Sequence, residues 1–385
     1  MLFFVYFTLD YVFSYYVLGH IIPPSNSIFP ILQSSFGFVV AGTLIVTSFF
    51  VGRFDSLKMI YTSSVITAAI TVLLFLIPNE LVKIFSVLFA GVFFGIGQLA
   101  FFTYFWNKTY PEERGRAGGL IGFICLPFYF ILIPMVAETL DLVGSVILAF
   151  VLSLGTLLVI FIKPEKKIVS ETKAGRESYP EKRTILYYSI PWFLFSFINA
   201  TLARNISYSI SLEVTRSSYL LFTSVQVIAA VFGALGGGII ADFFGRRLTL
   251  ALSLTLYGIS TALAGIVQNN AVFYFVYAAN GLSWGMLLTL YSFVIWGDLA
   301  NKKNCGKMYS LGLTTFYLTA SIGPLLTQIS QLPLVMSSLI GCVMIFLSNV
   351  PVALAPELLS SDFRNRIRLR LHMNALRKIK REKQN

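Results

Sequence analysis

The chain has 385 residues, of which 56% are hydrophobic and only 12% charged. A soluble domain carries about a quarter charged residues, so a water-solvated globular fold is excluded. The formal net charge of +12 does not require a nucleic-acid partner, because Lys and Arg alternate with long apolar runs in the pattern a membrane imposes.

A bilayer core of about 30 Å needs roughly 20 apolar residues per helix. Runs of that length occur in chain order at 2–22, 29–51, 58–78, 81–105, 117–137, 142–162, 185–207, 217–241, 247–268, 271–296, 308–328 and 333–355. They lack the in/out alternation of barrel strands, and 142–162 shows this most plainly. The sequence therefore predicts an all-α integral membrane protein with twelve transmembrane helices. With both termini placed in the cytoplasm, all of the 29 Lys and Arg except Lys83, Arg204 and Arg216 fall on the cytoplasmic side. Topology alone then explains the basic balance, and the expected location is the plasma membrane. The first run starts without a basic region or a small-residue cleavage site and reads as a retained helix.

The longest polar stretch of the body, 164–184, separates two six-span segments, 1–163 and 185–356. Each segment has a short charged loop after its second span, Val51–Lys58 and Gly236–Arg247. Each has another after its fourth, Tyr110–Leu120 and Asp298–Leu311. Asp55 and Asp242, like Gly115 and Gly306, stand about half the chain apart, which indicates an internal repeat of two six-helix units. After Pro356, residues 357–385 form a basic amphipathic cytoplasmic tail with Phe363, Ile367, Leu371, Ala375 and Ile379 at four-residue spacing.

Cys125, Cys305 and Cys342 are isolated, so neither a disulfide framework nor a metal site is expected. No Gly-x-x-x-x-Gly-Lys-Ser/Thr loop supports nucleotide hydrolysis. An enzyme acting on lipid would need clustered His or paired acids, and only His20 and His372 exist. The expected chain is not an enzyme and uses no cofactor.

GGIIADFFGRR at Gly237–Arg247 resembles the loop signature of the major facilitator superfamily, and YPEERGRAGGL at Tyr110–Leu120 is similar to that family's loop before the fifth span. The resemblance implies the major facilitator fold and a monomeric secondary transporter of a small solute, working by alternating access in the lipid bilayer. A multidrug efflux antiporter and a transport-inactive sensor or scaffold of the same fold remain the alternatives. The first-half loop keeps Gly52, Arg53, Asp55 and Lys58 but lacks the Gly-Arg-Arg ending. The fourth span has Gly91 where many members carry a coupling Arg, and the fifth lacks the Gly-Pro of drug antiporters.

The physical role of the loop follows from its charges. Asp242 is expected to face the N-terminus of the fifth span near Gly115–Gly118, where unpaired N–H groups carry partial positive charge. Arg246 and Arg247 are then expected to pair with Glu112 or Glu113. With Asp55, Arg114 and Gly245 they form the candidate cytoplasmic gate.

For the solute, the resemblance points to spans one, four, seven and ten. Candidate ligands are Tyr6, Asp10 and Ser14 on the first, Gln98 on the fourth, and Trp192 and Asn199 on the seventh. Tyr277, Asn280 and Trp284 on the tenth and Gln226 on the eighth complete the set. Amides and aromatics suit a polar or amphipathic uncharged metabolite or sugar. Asp10, the acid deepest in any span, is the candidate proton-coupling group or the partner of a cationic solute, the other reading being a first helix that begins later and leaves it near the cytoplasmic surface. For Asn199 and Asn280, hydrogen bonding between helices is an equal reading, and the aromatics read equally as packing. The pairs Gly91/Gly95, Gly118/Gly122, Gly233/Gly237 and Gly281/Gly285 fit close helix approach.

Overall fold

The computed structural model describes residues 28–76, 79–127, 181–267, 269–329 and 332–359. The expected spans 2–22 and 142–162, most of the polar linker and of the basic tail, and the candidates Tyr6, Asp10 and Ser14 lie outside the described residues.

All regular structure among the described residues is helical. The first group comprises α1 (Ile28–Ser48), α2 (Ser56–Leu76), α3 (Glu80–Lys108) and α4 (Arg114–Pro127). The second group comprises α5 (Lys182–Ala200), α6 (Leu202–Glu213), α7 (Arg216–Phe244), α8 (Arg246–Ile266) and α9 (Asn270–Thr289). A π-helical turn, Leu290–Val294, then leads into α10 (Ile295–Leu299), α11 (Cys305–Ile329) and α12 (Leu334–Leu354). Seven described stretches are long and apolar enough to cross a membrane, among them Lys182–Glu213 (α5 with α6) and Asn270–Leu299 (α9 through α10).

Polar residues at the ends of the apolar runs set the helix starts. The carbonyl oxygen of the Asn79 side chain accepts from the Leu81 amide at 2.9 Å, and that of Asn269 accepts from Ala271 at 2.9 Å. Thr215 caps α7 by accepting from Ser218. Each satisfies an amide that has no partner inside its helix. The break between α5 and α6 falls at Thr201, whose hydroxyl donates back to the Phe197 carbonyl at 2.6 Å. Such back-bonding competes with the helix ladder and favours a bend.

The long helices bury one face and leave much of the rest apolar. On α1, Leu32, Phe36, Val40 and Leu44 are buried at four-residue spacing, while Ile31, Phe38, Ile45 and Val46 are exposed. A helix apolar on every side belongs in lipid. Within the second group α7 crosses α9 at backbone contact: a Cβ on Gly281 or Gly285 would strike the carbonyls of Gln226 or Ala230. The sequence spacing of these glycines thus marks one helix crossing, held by dispersion rather than by a hydrophobic drive. The groups meet along two seams, α1 against α11 and α4 against α7, with α3 also touching α11.

Candidate functional site

The α7–α8 corner begins with Gly245, whose φ of +114° is a conformation that side chains other than glycine rarely adopt. This lets α8 start one residue after α7 ends, and it turns the Arg246 side chain back under α7. Its Nη1 donates to the Ala241 carbonyl at 2.5 Å and to Asp242 Oδ1 at 2.8 Å, and its Nε donates to Asp298 Oδ2 at 2.9 Å. Its Nη2 donates to the Pro111 carbonyl in the facing loop. Asp242 Oδ1 accepts from the Gly115 amide at 3.0 Å, and Oδ2 from the Arg116 amide at 2.7 Å and the Arg116 Nε at 3.2 Å. Asp298, at the end of α10, also accepts from Arg114 at the start of α4.

The side chains of Arg114, Arg246, Asp242 and Asp298 are between 0% and 3% exposed. Two positive and two negative charges share this dry site, so the cluster carries no formal net charge. Buried charges tolerate such a site only when paired and hydrogen-bonded. The backbones can close around them because Gly115 and Gly238 lack side chains: a Cβ on Gly238 would collide with the Gly115 carbonyl.

Asp242 thus faces the helix terminus that the sequence argument named, while the expected pairing of Arg246 or Arg247 with Glu112 or Glu113 is replaced. Arg246 takes Asp242 and Asp298 instead, because the Gly245 turn points it inward. Glu113 accepts from the Tyr110 amide of its own loop at 3.2 Å. The Arg116 side chain, half exposed, donates to the Glu112 carbonyl at 3.4 Å. Asp55 accepts from the Leu57 amide at 3.0 Å and caps α2 locally. The seam next to it, α1 against α11, is accordingly sealed without that carboxylate: Val51 lies on Gly306, and Ser310 Oγ donates to the Leu44 carbonyl at 2.9 Å.

Two acids escaped the sequence reading. Asp298 stood out only as the first residue of a loop. Glu357 follows α12, and its carboxylate accepts from the amides of Arg246 at 2.9 Å and Arg247 at 3.1 Å, capping α8. A lone acid directly after an apolar run was the available signal for both.

Behind the charges lies an aromatic layer that also crosses between the groups. Phe102 of α3 packs on Phe293 at 5.5 Å and Tyr309 at 5.3 Å between centroids, and Phe105 packs on Phe293 at 5.1 Å. Trp106 Nε1 donates to the Gly297 carbonyl at 2.9 Å. In the second group Trp192 stacks on Tyr291 at 4.4 Å while its Nε1 donates to the Gly312 carbonyl at 2.7 Å.

The amide candidates fall into one chain across four helices. Gln226 donates to Asn280 Oδ1 at 2.7 Å, and the Tyr257 hydroxyl bonds to Asn280 and reaches Asn199 Oδ1 at 3.5 Å. Asn199, Gln226 and Asn280 remain half-buried, with polar capacity to spare. Gln98 is buried, and its Oε1 has no partner among the described residues. Trp284 instead packs with Leu126 and Ala230 at the α4–α7 seam. Tyr277 packs with Phe222 and Phe273 in a separate cluster and does not join the amide chain.

The architecture is that of the major facilitator fold. The structure of FucP in its outward conformation, titled as a major facilitator superfamily transporter, superposes with a TM-score of 0.70 at 11% identity, covering 92% of this chain and 96% of that one. A bacterial homologue of the iron transporter ferroportin in an outward-facing state superposes at 0.69 and 12% identity, covering 91% and 97%. At such identities the likeness establishes the fold alone. No curated protein sequence gives a significant match. Residues 179–355 match the family described as sugar (and other) transporter. The match spans the second group, less than half of the chain, and is a likeness to that family over those helices, in agreement with the fold.

Proposed function

We propose that the protein carries an uncharged polar or amphipathic solute, a sugar or similar metabolite, by alternating access between two six-helix units, 1–163 and 185–356. They are joined by the cytoplasmic linker 164–184 and followed by the tail 357–385. In this reading twelve spans cross the plasma membrane, both termini are cytoplasmic, the protein works as a monomer, and the described arrangement is closed on the cytoplasmic side. The observation that carries the proposal is the buried Arg114–Asp298–Arg246–Asp242 network. It joins the two groups through groups that can exchange partners, with the glycine contact that lets them close. Opening that side must separate the Asp242 carboxylate from the α4 amides and Asp298 from Arg114.

The neutral character of the solute is supported by Trp192, Tyr291, Asn199, Asn280, Gln226 and Gln98. The four amides offer hydrogen bonds without charge, while Trp192 and Tyr291 stack on each other and back them as an uncharged wall. The sugar family match over the second group agrees with this chemistry. Proton coupling through Asp10 is the accompanying proposal, and a solved neighbour named as a fucose:proton symporter shows that the fold hosts such coupling.

The test is flux in proteoliposomes. A thermal-shift screen against sugars, amino acids, organic acids and lipophilic cations selects the solute, and uptake is then measured with and without a pH gradient. Flux of a neutral sugar or polyol is expected. Binding confined to lipophilic cations would favour drug efflux, and binding without flux a sensor. If Asp10→Asn leaves gradient-driven uptake unchanged, the coupling assignment is wrong.

A further inference from the structure

The structure has an apolar groove of about 460 Å³ between α5 and α12, lined by none of the residues of the charge network or the amide chain. Leu186 and Ile190 form one wall, and Leu347, Val350 and Leu354 form the other. These five side chains are 43% to 63% exposed, on the surface that faces lipid. Pro191 and Pro351 interrupt the two helix ladders at this level, where helices bend. From Leu347 to Leu354 is two turns, about 10 Å along the axis, against about 15 Å for the hydrocarbon depth of one leaflet.

Arg183, at the start of α5, is the single charged residue of the lining. It marks one end of the groove, and that end is the one bearing the buried charge network. The Tyr188 hydroxyl donates to the Pro356 carbonyl at 2.8 Å, and the next residue, Glu357, caps α8. Lys182 is exposed beside Arg183, and Glu181, the exposed N-cap residue before them, leaves the three with one net positive charge. The groove thus combines an apolar slot parallel to the membrane normal with a cationic mouth at headgroup level.

We infer that this groove is a seat for an anionic glycerophospholipid. One acyl chain lies against Leu347 and Val350, and the phosphate meets Arg183. The mouth selects headgroup charge, and the slot fixes the lipid between α5 and α12.

Native mass spectrometry of the full chain, delipidated and then re-equilibrated with phosphatidylglycerol or phosphatidylcholine of identical acyl chains, tests this. The wild type is expected to hold one phosphatidylglycerol about fivefold more tightly than phosphatidylcholine, as one basic side chain at the headgroup level implies. Arg183→Gln, and Lys182→Gln with Arg183→Gln in case Lys182 substitutes, should abolish the preference while keeping a bound lipid. Val350→Trp, which fills the slot, should remove the tight site for both lipids. Equal retention of the two lipids by the wild type overturns the proposal, and so does a preference that survives both the double substitution and Val350→Trp. A dimer dissolved by Val350→Trp would overturn it in favour of a second copy of the chain. Thermal unfolding in detergent checks that each variant is folded.

Discussion

At the scale of single residues, Asp298 is the hinge of the charge network, because it holds Arg114 from the first group and Arg246 from the second. Replacing it with Ala leaves Arg114 buried without a carboxylate and Arg246 with Asp242 alone. Loss of one partner in such a cluster costs about 3–5 kcal/mol, and that cost falls only on the closed arrangement. Asp298→Ala is therefore expected to increase the labelling rate of a cysteine introduced at Pro111, which lies against Arg246. Arg246→Lys should open the same site less. A Lys keeps the charge but cannot reproduce the planar fork that reaches Asp242, Asp298 and two carbonyls together. Sequence made Asp242 legible because a carboxylate before Gly-Arg-Arg has a physical role at a helix terminus. Asp298 was not legible, since its importance comes from a fold that brings the end of α10 to the start of α4.

At the scale of elements, the α4–α7 seam depends on backbone contact. Gly238→Ala places a methyl group into the Gly115 carbonyl, whereas Gly236, two residues earlier, has nothing within 4 Å of an added Cβ. Gly238→Ala should thus reduce transport and raise accessibility near Pro111, and Gly236→Ala should leave both unchanged. Equal behaviour of the two variants would show that helix propensity, and not contact, controls the seam. The spacing of glycines announced close packing in the sequence, yet it could not say which helix each glycine meets. Nor did the sequence announce the π-helical turn at Leu290–Val294. That turn carries Tyr291 against Trp192 and Phe293 against Phe102 and Phe105, and apolar periodicity does not register one extra residue in a turn.

At the scale of the whole molecule, the two seams close one end of the bundle by different means. The α4–α7 seam uses charges; the α1–α11 seam uses an apolar contact and a hydroxyl. Val51→Cys with Gly306→Cys, in a background where Cys125, Cys305 and Cys342 are replaced by Ser, should form a disulfide that locks the α1–α11 seam. The Val51 side chain lies against the place a Cβ at Gly306 would take, so the two backbones approach closely there. Solute flux should stop on oxidation and return with reductant; full flux in the oxidised protein would mean that this seam does not open. Asn280→Ala is expected to weaken solute binding by up to about tenfold, as one hydrogen bond from a half-buried amide is worth roughly 0.5–1.5 kcal/mol. Thermal shift with the identified solute measures it.

The sequence by itself determined the solvent of this protein, the helical character of its spans and the carboxylate that faces a helix terminus. Apolar length, charge asymmetry and local chemistry are properties of short stretches of chain. Only the tertiary structure decided that Arg246 turns inward to Asp298, that Asp55 caps its own helix, and that Asn199, Asn280 and Gln226 bond within one network while Tyr277 stands apart. Those outcomes depend on which helix faces meet, and residues far apart in sequence reach one another only when dispersion and backbone contact have fixed the crossings.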